Sequence, residues 1–436
     1  MKNIWIIVLI LAVSFELNSQ KTDQKYKTVK ALRSNIVSNA VGVNTHLNYK
    51  GTVYDTHYDD IIKPRLVELG TKHIRDHFGN GVVNTRYMEL AHDYGIKLMV
   101  LNNDGGTDIY TVLAEIKRLN QLNPQKPVID MIEAANERDN GWKKDWVKLC
   151  DYMHKLYKIY KDDPVTKSMP LVGPSFANTR NSAVDLSGTC TDAMNTMDIG
   201  NLHAYSGLYP ESLQNGGWGI SFDEAVANYR KIAGDKPLIE SESGFKMSQG
   251  MQGHPSVSET TAAKYSPRLV LNRISRGVNM LYFYQLINNS EDFGLLNNDG
   301  TPRLQFISLK NMIKLMSDDG GEFTPGELDF YLSGDMKDIY HMLFQKSNGN
   351  YYLIVWQGIN GSDDGTQKNN YKDITNPDKL ITLNLREKAV EINLYRPSFD
   401  TQPLGNGTNP VMSLGNKKKV KLSVPDHILV VEMKFK

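Results

Sequence analysis

From residue 40 to about residue 318, short apolar and β-branched runs alternate with longer stretches in helical spacing, the signature of repeated βα units. Strands are expected at 40–45, 72–77, 96–101, 128–135, 169–173, 197–203, 237–242 and 278–284. Helical patterns fall between and after them, at 57–69, 84–94, 108–121, 145–161, 222–233, 259–276 and 304–317, with a weak one at 183–196. Eight strands of near-continuous apolar character with intervening helices predict a closed (β/α)8 TIM barrel, spanning 36–320, rather than an open doubly wound sheet.

After residue 322 the pattern changes. Residues 328–345, 350–358, 380–384, 389–395, 419–423 and 428–435 alternate apolar and polar side chains between turns rich in Gly, Asn, Asp and Pro. No helix pattern intervenes, which predicts a C-terminal antiparallel β-sandwich over 322–436. No flexible linker precedes it, so it is expected to pack directly on the barrel, with the segment before residue 40 as a candidate to supply a further strand.

The first residues, Met1-Lys2-Asn3 and then an apolar run from Ile4 to Phe15, have the form of a secretory signal peptide over 1–20. The run is short for a membrane span and polar sequence follows it, so cleavage is expected, with the mature chain secreted or periplasmic and without an integral membrane span. No cysteine stands near its end to be acylated. The 436 residues, 40% hydrophobic, suffice for one large core and a smaller one, and a monomer is expected. Lys+Arg of 50 against Asp+Glu of 49 gives a net charge of +1, so no whole-chain field favours nucleic acid or an anionic membrane. The two cysteines, Cys150 and Cys190, can pair in an exported chain or stay as buried thiols. Neither sits beside a His or another Cys at ligand spacing, so zinc and thiol catalysis find little support, and no metal or cofactor is expected.

Polar residues gather at the C-terminal ends of the expected strands, where a barrel of this kind keeps its chemistry. These are Asn44 and His46, Arg75 and His77, Asn102 to Asp104, Asn136 and Glu137, His203 and Tyr205, Glu242, and Tyr284 and Gln285. Two of them, Glu137 and Glu242, are carboxylates closing apolar strands that each open on a proline, Pro127 and Pro237. Such a pair suits glycosidic bond cleavage, in which the leaving oxygen needs a proton and the anomeric carbon needs a nucleophile or an activated water.

At these residues the sequence resembles the clan A glycoside hydrolases, the retaining (β/α)8 families. Glu133-Ala134-Ala135-Asn136-Glu137-Arg138-Asp139 is similar to their strand-four motif, in which an Asn-Glu pair supplies the acid/base. Ile239-Glu240-Ser241-Glu242-Ser243-Gly244 resembles the strand-seven motif that carries the nucleophile, His203-Ala204-Tyr205 the His-x-Tyr after strand six, and Arg75 the strand-two arginine near the nucleophile. The resemblance covers most of 40–318 and departs in two places. Arg138 stands where Pro often follows the acid/base, and Gln285 stands near where many members carry an aromatic platform on strand eight.

The resemblance implies Glu137 as acid/base and Glu242 as nucleophile in a retaining double displacement on a poly- or oligosaccharide. Glu242 would be held ionised by Arg75 and Tyr205, and Asn136 would donate to the sugar 2-hydroxyl. Glu240, two residues before Glu242, is the rival nucleophile, expected to point the same way one layer deeper, and Glu133 is expected to be interior beside a cation. His46 and His77 are as easily packing residues as sugar contacts. Trp142 and Trp218 are candidate subsite walls, whereas Trp146 and Trp356 are expected to pack. A barrel that binds carbohydrate without turning it over is the alternative, disfavoured by the presence of both glutamates. A metal-dependent hydrolase would need His and Asp ligands at strand ends that the sequence does not assemble.

Overall fold

The eight apolar runs form eight parallel strands in the computed structural model, which describes residues 26–102, 108–141, 144–206, 209–212, 220–247, 256–288, 292–362 and 372–436. They are β1 (Val41–Asn44), β2 (His73–Asp76), β3 (Lys97–Leu101), β4 (Ile129–Glu133), β5 (Leu171–Val172), β6 (Gly200–Leu202), β7 (Leu238–Ser243) and β8 (Val278–Phe283). Each pairs with its sequence neighbour, β8 returns to β1, and a parallel bridge from Val172 to Ile199 links β5 to β6, so the sheet closes as a TIM barrel. Met99, Met131, Val172, Ile239 and Tyr282 fill the barrel interior. Tyr282 reaches across because β1 carries glycine opposite it: a Cβ on Gly42 would lie 2.4 Å from the Tyr282 ring. Alternate strand residues, among them Ile74, Leu98, Ile129 and Leu281, face the helices.

Two expected helices take a different form. The pattern at 57–69 resolves into a short turn at Val53–Thr56, a widened turn at Tyr58–Ile62 and a helix at Lys63–Leu69. Pro64 lacks an N–H and its ring crowds the carbonyl four residues back, so the backbone widens and the Ile62 N–H reaches five residues back to His57 O at 3.1 Å. The weak segment 183–196 becomes the helix Ser182–Thr189 and a tight turn at Ala193–Thr196. Between them Cys190 is joined to Cys150 by a disulfide, the pairing that the sequence left open.

The C-terminal strands are β9 (Glu327–Gly334), β10 (Ile339–Gln345), β11 (Tyr351–Gln357), β12 (Lys379–Tyr395), β13 (Met412–Val424) and β14 (Leu429–Lys434). The run expected at 328–345 is thus two strands, and the runs at 380–384 and 389–395 are one. Arg386, Glu387 and Lys388, all exposed, interrupt the alternation of β12 at an irregularity in its pairing with β13, and so hide its continuity from a pattern reading. Two segments before the barrel complete this sheet: Lys27–Lys30 pairs antiparallel with β9, and Leu32–Arg33 pairs parallel with β10. The sheet is therefore mixed, antiparallel apart from that one pair.

Period-two alternation sends its side chains to two cores. Leu353, Val355, Leu429, Val431 and Met433 join Leu383, Leu422 and Phe330 in a core of the sheet's own. Phe344, Tyr352, Ile354, Trp356 and Val430 join Phe306, Leu309, Ile313 and Met316 of the helix Leu304–Met316 in the main barrel cluster. Buried ions cross the same seam. Arg268, on the helix Glu259–Ser275, pairs with Glu211, which lies beyond β6, and also donates to Asp426 O at 2.8 Å and Ile359 O at 3.0 Å. Trp356 Nε1 donates to Glu211 Oε1 at 2.7 Å, so one carboxylate joins a barrel loop, a barrel helix and the second sheet. Both members of the ion pair have fully buried side chains.

Removing one partner of such a pair strands the other charge out of water. Arg268→Met is expected to lower stability by roughly 3–5 kcal/mol, and Arg268→Met with Glu211→Gln to recover part of that loss. Urea unfolding midpoints would check this; a change below about 1 kcal/mol would place the hold of the seam in its apolar contacts instead.

Candidate active site

The C-terminal ends of the barrel strands bring six of the residues singled out from the sequence into one cluster. Arg75, at the end of β2, is its hub and is 3% exposed. Nε and Nη2 bind the two oxygens of Glu133, Nη2 also donates to Asn136 Oδ1 at 2.7 Å, and Nη1 donates to Asn44 Oδ1 at 2.8 Å and Glu242 Oε1 at 2.6 Å. All five guanidinium donors are thereby used. Two carboxylates at opposite sides of one guanidinium make its burial tolerable, and Glu133 is the interior charge partner that the sequence suggested.

Glu242 is 14% exposed and accepts a second hydrogen bond from Tyr205 Oη at 3.2 Å. Burial, the largest single influence, pushes its carboxyl up; the charges of His203 and Arg75 and the hydrogen bonds from Arg75 and Tyr205 together outweigh it and hold the group below its ordinary value. His203 stands between the two glutamates. Its Nδ1 lies 2.8 Å from Glu137 Oε1 and 3.7 Å from Glu242 Oε2, while Nε2 lies 2.9 Å from Ser241 Oγ, which in turn donates to Glu133 Oε1 at 3.1 Å. Burial pulls the His203 imidazole down, but the carboxylates of Glu242 and Glu137 outweigh it and lift the ring above the ordinary histidine value. Carboxylate oxygens of Glu137 and Glu242 and a nitrogen of His203 all lie within 4.8 Å of one another, a spacing that would also suit a metal ion.

Backbone geometry aims both glutamates. Glu137 has φ of 49°, a left-handed conformation rare for a side chain of this size and strained by about 1–3 kcal/mol. It is held there because Glu137 N donates to Ser175 O at 3.0 Å and Glu137 O accepts from Asn140 N at 3.1 Å. Asn136 Oδ1 accepts from Arg75 Nη2 and from Ser175 Oγ at 3.2 Å, which fixes the orientation of its amide. On strand seven, Glu240 pairs with Leu281 and Ser243 with Phe283, so β7 takes three steps where β8 takes two. This bulge turns Glu242 into the cleft and separates its direction from that of Glu240.

Glu240 accordingly does not lie one layer deeper on the same side. It is fully buried toward the helix layer, where Arg273 Nε binds Oε2 at 2.6 Å and Ala204 N donates to Oε1 at 3.2 Å. Arg273 Nη2 also donates to Ala204 O at 2.9 Å and Ser206 Oγ at 3.2 Å, so this ion pair fixes the segment that carries His203 and Tyr205. Arg273 and Ser241 were missed from the sequence as members of this network, whereas Asn44, which supports Arg75, was among the polar strand-end residues. Their signal was polar side chains inside otherwise apolar stretches, as in Leu269-Val270-Leu271-Asn272-Arg273.

The rim of the site is aromatic. His46 stacks on Tyr49 with centroids 4.5 Å apart and meets the Tyr284 edge at 5.8 Å; Tyr284 in turn meets Phe293, which contacts Tyr205. Tyr284 thus brings a ring to strand eight one residue before Gln285, which is fully buried. Burial, ahead of the charges around them, pulls both His46 and His77 down to about 4, so both are neutral at neutral pH. Trp142 and Trp218 lie outside the described residues. Trp146 packs edge-on against Phe176, as a structural residue would.

Asp76 ties this wall together. Its carboxylate accepts from Leu47 N at 2.8 Å, Thr45 Oγ1 at 2.7 Å and His77 N at 2.8 Å, clamping the turn after β1 to the end of β2. Burial pushes its carboxyl up to about 7, with those hydrogen bonds opposing. A folded value above the unfolded one means that Asp76 contributes most to stability below about pH 4 and loses that contribution as pH rises through 7. The loss amounts to about 4 kcal/mol, and Asp76→Asn is expected to remove this part of the pH dependence. Urea unfolding at pH 5 and pH 8 would read it; equal pH dependence in both proteins would show that Asp76 is ionised throughout.

No protein-family model and no curated protein matches the sequence. Solved structures do match in fold. The chain is similar to a family 51 alpha-L-arabinofuranosidase, AbfB, from Bifidobacterium longum at 13% identity and a TM-score of 0.56, over 94% of this chain and 97% of that one. It is similar to a family 39 glycoside hydrolase from the gut symbiont Bacteroides cellulosilyticus WH2 at 12% identity and a TM-score of 0.55, over 92% and 82%. A GH30 endoxylanase from Clostridium papyrosolvens C71 matches at 12% identity and a TM-score of 0.54, over 95% and 98%. At such identities the likeness is one of fold, and it takes in nearly the whole chain, second sheet included.

Proposed function

We propose that this chain is a retaining glycoside hydrolase of clan A type, acting on a poly- or oligosaccharide through Glu137 as acid/base and Glu242 as nucleophile. The observation that carries the reading is the pairing of two carboxylates in unlike surroundings. One is held ionised by Arg75 and Tyr205, the other shares a 2.8 Å contact with an imidazole, and their nearest oxygens lie within 4.8 Å. Retaining enzymes hold the two carboxyl groups about 5–5.5 Å apart, whereas inverting ones need about 6.5–9.5 Å to admit a water. The three matched structures, all glycoside hydrolases by family or activity, agree with this reading.

In the first step Glu242 attacks the anomeric carbon and the leaving oxygen takes a proton from Glu137, which the contact with His203 Nδ1 positions. In the second, Glu137 takes a proton from water as that water displaces Glu242. Asn136 donates to the sugar 2-hydroxyl, its orientation set by Arg75. Trp142 and Trp218 serve as subsite walls. The catalytic unit is assigned to 36–320 and the accessory sandwich to 322–436, with 1–20 removed on export and the mature monomer acting outside the cytoplasm. Among the described residues no helix is long and apolar enough to cross a membrane.

Because Glu242 has a lowered carboxyl pKa, its ionised form is kept as pH falls and lost only below the ordinary value near 4.3. The acid limb of kcat/KM on an aryl glycoside should therefore lie below about pH 4.3, and Tyr205→Phe, by removing a donor, should move it upward. An unmoved limb in that variant would assign it to another group.

Chemical rescue separates the two glutamates. Glu137→Ala should slow poor leaving groups by about 10²–10⁴ and activated aryl glycosides far less in the first step, with azide restoring turnover at retained configuration. Glu242→Ala should lose turnover on every substrate and give an inverted glycosyl azide, while Glu240→Ala should lose stability without such a product. Inverted azide product from Glu240→Ala would transfer the nucleophile to that residue. Absence of hydrolysis by the intact protein across aryl glycosides and polysaccharides would favour a binding barrel.

A further inference from the structure

Away from the cleft, four side chains with metal-ligating atoms converge where the helix Trp146–Asp162 meets the segment after Ser182–Thr189. Cys150 and Cys190 form a disulfide there across 40 residues of chain, with Cα atoms 5.6 Å apart. His154 follows Cys150 by four residues and shares its helix face, so, contrary to the expectation from sequence, one cysteine does have a histidine at ligand spacing. Its Nδ1 lies 3.7 Å from Cys150 Sγ and its Nε2 2.9 Å from Asp192 Oδ2, while Asp192 Oδ1 lies 3.9 Å from Cys190 Sγ. One ligand atom from each residue lies within 4.8 Å of all the others.

The geometry points to a Zn²⁺ site made by Cys150, His154, Cys190 and Asp192 when the disulfide is reduced. Two thiolates, an imidazole and a carboxylate are tetrahedral zinc donors. With Zn–S near 2.3 Å and Zn–N or Zn–O near 2.0–2.2 Å, donors on one tetrahedron sit roughly 3.3–3.8 Å apart; the two sulfurs, bonded in the disulfide, separate to that spacing on reduction, and one ligand atom of each residue already lies within 4.8 Å of the others. The imidazole is oriented in advance. His154 Nδ1 lies 2.9 Å from Cys150 O, and a proton donated there leaves the Nε2 lone pair directed at Asp192, the arrangement that fixes ligating histidines. His154 and Asp192 side chains are 43% and 55% exposed, which leaves the ion a path in.

The redox step balances with a dithiol as reductant. The Cys150–Cys190 bond breaks, the dithiol closes to its own disulfide, and its two electrons and two protons pass to the two cysteines. Zinc then binds both sulfurs and releases both protons to solvent. Disulfide and zinc site are alternative states of one pair, and either joins the same helix to the same loop.

The test uses the full chain, reduced with a water-soluble phosphine that leaves no thiol to compete for metal. Zn²⁺ is titrated against a chromogenic chelator, Co²⁺ is followed by visible absorption, and far-ultraviolet circular dichroism reports the fold. Reduced protein should bind one Zn²⁺ per chain and give tetrahedral Co²⁺ bands with thiolate charge transfer; the oxidised chain should do neither. His154→Ala and Asp192→Ala should each weaken zinc by about 10-fold or more, and Cys150→Ser with Cys190→Ser should abolish it while the chain stays folded. The proposal is overturned by equal zinc retention in the oxidised chain or the double serine variant, or by unchanged affinity in both single variants. A reduced chain that takes up no zinc, folded or not, overturns it as well.

Discussion

The site depends first on the buried guanidinium of Arg75. It spends its five donors on four residues from three other strand ends, and two of those residues are carboxylates. In the low dielectric of the barrel mouth its charge helps to hold Glu242 below the ordinary carboxyl value, and it could not stay buried without the two carboxylates. The direction of the Asn136 amide follows from the same group, so the charge state of one glutamate and the orientation of this amide have a common origin.

A second tier of buried charge stands outside the barrel wall. Arg268 and Arg273 leave the same helix, Glu259–Ser275, one toward Glu211 at the seam with the second sheet and the other toward Glu240 and the backbone beside His203. One helix thereby holds both the sheet and the strand-six segment that bears His203 and Tyr205. The second sheet is fastened from two ends of the chain, because Lys27–Lys30 and Leu32–Arg33 pair with its edges before the barrel begins. Its apolar face shares a core with the barrel helices. Buried ions that need exact partners then set how the two layers are seated on one another.

Two kinds of strain and polarity concentrate at the mouth. Glu137 is held in a left-handed backbone conformation, and strand seven carries a bulge at Glu242. Neither aids local strand stability, and both re-aim a carboxylate toward the same point, with His203 between them. Neutral His46 and His77 and the rings of Tyr49 and Tyr284 surround that point with side chains that do not compete for its charge.

What the sequence determined by itself is what is local in the chain. Runs such as Leu98 to Leu101 and Ile129 to Glu133 can be read as strands because burial on both faces demands continuous apolar side chains, and the polar burst at Asn136-Glu137 can be read as a strand end for the same reason. That was enough to place the barrel, its order and six of the residues that meet at its mouth. Tertiary structure alone decided the rest. The opposite directions of Glu240 and Glu242 arise from a bulge set by pairing with β8, which strand periodicity cannot anticipate. The partners of Arg268 and Arg273 lie 57 and 33 residues away or across the seam, and a buried charge carries no mark in the sequence of which opposite charge will neutralise it. The Cys150–Cys190 pairing and the addition of residues 27–33 to a sheet formed by the C-terminal strands are of the same kind, since contacts between distant segments are chosen by how the packed layers meet.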